Sequence, residues 1–307
     1  HIHFIYIFLF HFHLFSTFAN MYTSYQNLYK QLMNVYPLDE AKALVRMVLE
    51  ERYGLTLPEI YTDKVTQLSA DDANDLEKIM SRLAKGEPVQ YVLGSTTFCG
   101  RQFCVAPGVL IPRPETEMLC EWVINVHNSS FCALQPPTPL RILDVGTGSG
   151  CIAITLSLDM SNTVVSAYDI SSEALLIARD NAIRLGATVN FQMKDALQLV
   201  PTSEMFDVIV SNPPYICENE RVDMLPNVLN YEPSIALFVP NDDPLRFYRA
   251  IAEYGMIALS HNGELYFEIN YRFVDEVSAM LNALGYVGIE VRNDQFAKQR
   301  FVKAIRL

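Results

Sequence analysis

Several things that would each assign a chain to a class are missing from this 307-residue sequence. No C-x-x-C pair occurs, and the six cysteines, Cys99, Cys104, Cys120, Cys132, Cys151 and Cys217, are irregularly spaced. Disulfide frameworks belong to small secreted domains, so reduced thiols and a cytoplasmic setting are expected. Histidine is scarce where it would matter. Four of the six lie in the first thirteen residues, leaving His127 and His261 for the body, and no metal site is expected. Basic residues are outnumbered, 23 Lys and Arg against 35 Asp and Glu, for a formal net charge of −12. Affinity for a phosphate backbone comes largely from counterion release at a basic surface. With no run of Lys and Arg interleaved with aromatics, nucleic acid is disfavoured as a partner.

The first twenty residues, HIHFIYIFLFHFHLFSTFAN, lack charge altogether and precede Met21. A secretory signal needs a basic start and a small-residue cleavage site; the first is absent and the second poor. As a membrane span the stretch is marginal in length, and its histidines weaken it further. Residues 1–20 are expected to be non-native or upstream sequence, with an anchor or targeting segment and a structured arm as the alternatives. No membrane association is expected of the body.

Half of the residues are apolar and 19% are charged, the balance of a globular chain. The length suits one large α/β domain with a smaller companion. Leu28, Leu32 and Val35, then Leu44, Val45, Val48 and Leu49, recur at three- and four-residue spacing, a helical pattern. Ser69 before Ala70-Asp71-Asp72 predicts an N-cap with acids in the first turn, on a helix that buries Leu76, Ile79, Met80 and Leu83 and stops at Gly86. Residues 21–86 are therefore expected to form a helical domain. Extended runs at 89–93, 96–99 and 102–105, broken by Gly94 and Gly100, predict a β-hairpin linker over 87–111. Another helix begins within Pro112-Arg113-Pro114-Glu115-Thr116-Glu117, with Leu119, Trp122, Val123 and Val126 as its buried stripe.

From Arg141 onward strand and helix alternate. Strands are expected at 141–145, 164–168, 189–193, 206–211 and 264–269, and helices at 151–158, 172–185, 244–260 and 273–284. The last extended runs, 285–291 and 300–305, leave no room for a crossover helix and so pair antiparallel. Residues 112–307 thus read as an α/β domain, a mostly parallel sheet with helices on both faces. Ligands of such sheets sit at the carboxyl ends of the strands.

Asp144-Val145-Gly146-Thr147-Gly148-Ser149-Gly150 lies between a predicted strand and a predicted helix. Glycines at alternate positions let the backbone turn sharply and approach a ligand, while the helix start offers free N–H groups. A dinucleotide fingerprint requires G-x-G-x-x-G; here the third glycine comes one residue early, and no P-loop lysine follows. Asp169, at the end of the next strand, is placed for two ribose hydroxyls, and Asp195, after the third, for an adenine edge. Together these suit S-adenosylmethionine better than a pyrophosphate. The other reading is a glycine turn that merely packs strand on helix.

Ser211-Asn212-Pro213-Pro214-Tyr215 follows the fourth strand, at the same sheet edge. A planar amide or amino nitrogen is a poor nucleophile because its lone pair is delocalised. Acceptors at the Asn212 side chain and the Pro213 carbonyl can bind its two N–H groups, orient it and support charge as it attacks a sulfonium methyl. Consecutive prolines fix the backbone, and Tyr215 offers a flat face to the substrate. Asn212, Pro213 and Tyr215 are thus the candidate catalytic residues, with Pro214 as a further substrate contact.

The chain resembles the release factor glutamine methyltransferases from about Tyr25 to its C-terminus. The likeness is carried by Gly86-Glu87-Pro88-Val89-Gln90-Tyr91, Leu110-Ile111-Pro112-Arg113-Pro114-Glu115-Thr116-Glu117, the loop from Asp144 to Gly150 and Ser211 to Ile216. Tyr231-Glu232-Pro233 with Ala236-Leu237, and Phe267-Glu268-Ile269, add to it. The resemblance implies a Rossmann-like methyltransferase sheet with an antiparallel C-terminal hairpin, plus a helical domain that helps hold the substrate. It implies methylation of the glutamine in the Gly-Gly-Gln tip of peptide chain release factors. A monomer is expected, and from the acidic balance no direct action on nucleic acid. Carried over, Gly146, Thr147, Gly148, Ser149, Gly150, Asp169, Asp195 and Asn212 contact the cofactor, and Asn212 to Tyr215 hold the glutamine.

Arg113, Glu115 and Glu117 either shape the substrate approach or form a capped helix start. The loop at 217–243 is either a lid or an acidic surface loop. Ala196 stands where many relatives carry an aromatic, which removes stacking on the adenine there. Cys151 and Cys217 are read as packing residues. Two other functions compete: an amino-methyltransferase acting on adenine or guanine in nucleic acid, since N-P-P-Y is shared with those enzymes, and an inactive scaffold.

Overall fold

The structure, a computed structural model, describes residues 24–130, 138–201 and 203–307, the side chains of residues 129 and 130 apart. The segment at 1–20 lies outside the described residues. The chain divides into two units between Leu93 and Gly94. Among the described residues no helix is long and apolar enough to cross a membrane.

The first unit is helical: α1 (Tyr25–Leu32), α2 (Leu38–Tyr53), α3 (Leu57–Tyr61), α4 (Ala70–Leu83) and α5 (Val89–Leu93). Ser69 caps α4 as expected, its hydroxyl accepting the Asp72 N–H at 3.1 Å. Leu76, Ile79, Met80 and Leu83 are buried with Leu28, Leu32, Val45, Val48 and Leu49. Two expectations fail here. Val35 is 47% exposed, because α1 ends at Leu32 and the helical stripe ends with it. The run at 89–93, expected to be extended, is helical. Pro88 starts that turn, and the Arg82 guanidinium, paired with Glu87, donates to the Tyr91 and Val92 carbonyls that a short helix would leave unsatisfied. Tertiary capping overrides the β-propensity of Val and Tyr.

The second unit opens with a hairpin, β1 (Ser95–Phe98) and β2 (Arg101–Cys104), turned at Cys99 and Gly100, both at positive φ. Then come α6 (Pro114–Ser130), β3 (Leu140–Val145), α7 (Cys151–Asp159), β4 (Thr163–Asp169), α8 (Ser172–Leu185), β5 (Val189–Met193) and β6 (Phe206–Ser211). The chain continues with β7 (Ile216–Cys217), α9 (Pro226–Tyr231), β8 (Phe238–Val239), α10 (Arg246–Ala258), β9 (Leu259–Glu268), α11 (Val274–Ala283), β10 (Val287–Asn293) and β11 (Gln299–Ile305). Seven strands form one sheet in the order β10-β11-β9-β6-β3-β4-β5, parallel from β9 to β5, with β10 and β11 antiparallel as expected.

Side chains alternate between the two faces, as the period of a strand requires. Ile142, Val165 and Val208 pack with Leu119, Val123 and Ile154 of α6 and α7 on one side. Leu143, Ile209 and Leu265 pack with Ile251, Val277 and Leu281 of α10 and α11 on the other. Because β3 has β4 on one side and β6 on the other, the strand order reverses there, opening a crevice at the carboxyl ends of these strands.

Candidate active site

Four loops meet at that crevice. The first follows β3. Gly146, Gly148 and Gly150 sit at φ of 78°, 54° and 83°, a region that only glycine enters freely. A Cβ at Gly146 or Gly148 would meet no atom within 4 Å, so both open on empty space. Gly150 differs, since a Cβ there would lie 3.1 Å from that of Ala178 in α8. Asn181, buried in α8, donates to the Ser149 carbonyl at 2.9 Å and holds the loop from behind. After β4, Asp169 accepts the Gly148 N–H at 2.8 Å and the Ser171 N–H at 2.9 Å. Burial raises its carboxyl above the usual range, offset by those N–H groups. After β5, Asp195 accepts from the Leu197 N–H and the Gln198 amide.

These loops enclose a cavity of about 340 Å³, bordered by Gly146, Gly148, Asp169, Asp195, Asn212 and Pro214. That volume falls in the range of small-molecule sites. Glycine faces with no side chain to fill them, a carboxylate at the end of β4 and a mixed polar and apolar lining fit S-adenosylmethionine. The side chains of Thr147 and Ser149 are buried, Thr147 donating to Asp144 at 2.6 Å, and Gly150 packs against α8; these three expected cofactor contacts are not among the residues that line the cavity. Ala196 does line it, and so do Ile170, Phe238 and Phe247, which the sequence reading did not single out.

A second cavity, about 280 Å³, adjoins the first and shares Leu110, Asn212, Pro213 and Ala236 with it. Arg113 and Tyr215 line it, whereas Glu115 lines neither cavity. Glu117 accepts the Cys99 N–H at 2.9 Å, an anchor for the β1–β2 turn. Asn212 donates through Nδ2 to Thr116 Oγ1 at 3.1 Å, and Thr116 donates in turn to Glu268 Oε2 at 2.7 Å. Tyr215 donates its hydroxyl to Glu268 Oε1 at 3.0 Å. Residues 218–237, between the short paired strands β7 and β8, cover this region. Met224, Leu225 and Val228 line the smaller cavity and Ile235 the larger, while Glu232 is buried. Cys151 and Cys217 are buried, and burial raises both thiols, Cys151 to about 12, which suits packing rather than nucleophilic chemistry.

A reversing parallel sheet with this glycine loop, the acid after β4 and N-P-P-Y after β6 defines an S-adenosylmethionine-dependent methyltransferase. Residues 131–230 match the Methyltransferase small domain and residues 25–94 the PrmC N-terminal domain. The chain is 45% identical over 276 residues to the release factor glutamine methyltransferase of Bacteroides thetaiotaomicron, covering 89% of this chain and 95% of that protein. It is 37% identical over 270 residues to the enzyme of the same name from Flavobacterium psychrophilum, covering 88% and 93%. In fold alone it is similar to the hMettl16 catalytic domain solved with MAT2A 3′UTR hairpin 6, at a TM-score of 0.50 and 14% identity, covering 74% of this chain and 91% of that one. The chain belongs to the release factor glutamine methyltransferase family.

Proposed function

We propose that this enzyme methylates the side-chain amide nitrogen of the glutamine in the Gly-Gly-Gln motif of peptide chain release factors. The observation that carries the reading is the junction of the two cavities, where Asn212 and Pro213 belong to both. The larger cavity takes the methyl donor and the smaller takes a side chain long and slim enough to reach Asn212. S-adenosylmethionine bound there supplies an electrophilic methyl on a sulfonium.

This chain's own residues supply position and charge stabilisation. Asn212 Oδ1 and the Pro213 carbonyl accept the two N–H groups of the carboxamide, which orients its nitrogen and stabilises positive charge as the N–C bond forms and the sulfonium S–C bond breaks; one of these N–H protons then leaves along its hydrogen bond, giving the neutral N-methyl amide. Tyr215, which lines the smaller cavity, offers a flat face to the amide plane. Arg113 and the 218–237 segment cover the smaller cavity and exclude water. The helical unit contributes to holding the release factor, and the enzyme works as a monomer in the cytoplasm.

Transfer of labelled methyl from S-adenosylmethionine tests this. Label is expected on purified release factor and not on a factor whose Gly-Gly-Gln glutamine is replaced. Label on ribosomal RNA or DNA, with none on the release factor, identifies an amino-methyltransferase of nucleic acid instead.

A further inference from the structure

An amide side chain has two faces, a carbonyl that accepts and an NH2 that donates, and an NH2-bearing substrate is held only by the first. Something must set which face Asn212 turns to the smaller cavity. Thr116 and Glu268 are 2% and 1% exposed. Burial raises the Glu268 carboxyl, offset by the Thr116 and Tyr215 hydroxyls that donate to its two oxygens and by the Arg300 charge, and in that arrangement the Thr116 hydroxyl, 2.7 Å away, directs its single proton to Glu268. The Thr116 oxygen can then only accept from Asn212, which obliges Nδ2 to face Thr116 and leaves Oδ1 for the cavity. The reverse orientation would set two acceptors against each other in a buried place. Tyr215 donates to the other Glu268 oxygen at 3.0 Å, so the carboxylate is held by two hydroxyls of the site.

We infer that Thr116 and Glu268 are positioning residues that fix the Asn212 carboxamide with its carbonyl toward the substrate, and so make the site select an amide over a carboxylate. The inference rests on the function proposed above. Glu268 lies at the end of β9 and Thr116 in the first turn of α6, so the two elements lock the N-P-P-Y loop from behind.

The test compares binding of two purified release factors, one with glutamine and one with glutamate at the Gly-Gly-Gln position, to the enzyme with S-adenosylhomocysteine present. The wild type is expected to favour the glutamine form by about tenfold or more, the effect of one well-placed acceptor on a buried polar group. In Thr116→Val the amide is released, so the preference falls several-fold toward unity and kcat drops with it. Thr116→Ser, which keeps the hydroxyl, restores both. Glu268→Gln, which keeps the volume and supplies a donor, shifts the preference the same way as Thr116→Val. A merely structural role weakens binding of both factors alike and leaves the ratio unchanged, which overturns the inference. If neither factor binds the wild type, the function proposed above fails instead.

Discussion

Glu232 reaches back 119 residues to the Arg113 guanidinium, at 2.5 Å, and also accepts the Ile111 N–H at 3.1 Å. Its carboxylate is 1% exposed, whereas Arg113 is 32% exposed. This pair ties the segment that covers both cavities to the loop ahead of α6. A buried carboxylate is tolerable only with its partners in place. Glu232→Ala leaves the Ile111 N–H without its acceptor, but Arg113 can still turn to water. The expected loss is therefore about 1–3 kcal/mol of stability, below that of a fully buried pair. Urea denaturation measures it. The KM for release factor should rise more than kcat falls, since the cover binds rather than reacts.

Two glycines of the same loop should fail for different reasons. At Gly150 an added Cβ would meet Ile154 at 2.9 Å and Ala178 at 3.1 Å, on top of a positive φ. Gly150→Ala should cost about 2–4 kcal/mol from strain and overpacking. Gly148 has open space before it, so Gly148→Ala should cost only about 1–2 kcal/mol of backbone strain. Its side chain enters the larger cavity, and calorimetry should show weakened S-adenosylmethionine binding.

Asp144 is fully buried, one of its carboxylate oxygens accepting the Thr147 hydroxyl at 2.6 Å. Burial pushes its carboxyl up to about 7, against the pull of the Thr147 hydroxyl and the Ala153 N–H. The folded state therefore holds this proton more tightly than the unfolded state does. The stability it contributes is fully present below the unfolded value of 3.8 and is lost as pH rises through about 7. At about 1.4 kcal/mol per unit, the effect amounts to several kcal/mol. Chemical denaturation of the cofactor-free enzyme from pH 4 to 8 should show this decline. Asp144→Asn, with nothing to ionise, should flatten it.

The two halves of the site should separate kinetically. Asn212→Ala should nearly abolish turnover while leaving cofactor affinity within about tenfold, because the lost interaction belongs to the transition state. Asp169→Ala should weaken cofactor binding first. Equal damage to both properties in Asn212→Ala would contradict the role assigned to it.

Much of this was legible because the signals were local. α8, β5 and β6 have the bounds that hydrophobic pattern and capping indicate, and the glycine loop and Asn212-Pro213-Pro214-Tyr215 stand out as sequence motifs. What escaped depends on partners distant in the chain. The turn of α5 is satisfied by Arg82, which no window over 89–93 contains. Thr147 stands among glycines that do border the cavity, but its own hydroxyl is turned to the buried Asp144. Thr116 and Glu268 lie 152 residues apart and are joined by the fold. One signal was available: an acid in the apolar run Leu265-Tyr266-Phe267-Glu268-Ile269 has to be paired once buried. Phe247, in α10, reaches the cavity only because that helix packs beside the crevice.

The central claim is best tested by a crystal structure of the enzyme with S-adenosylhomocysteine and a Gly-Gly-Gln peptide. The account predicts the homocysteine product in the larger cavity and the glutamine carboxamide in the smaller one, with its NH2 donating to Asn212 Oδ1 and the Pro213 carbonyl. A glutamine seated elsewhere, or Asn212 turned with Nδ2 toward it, would contradict the account.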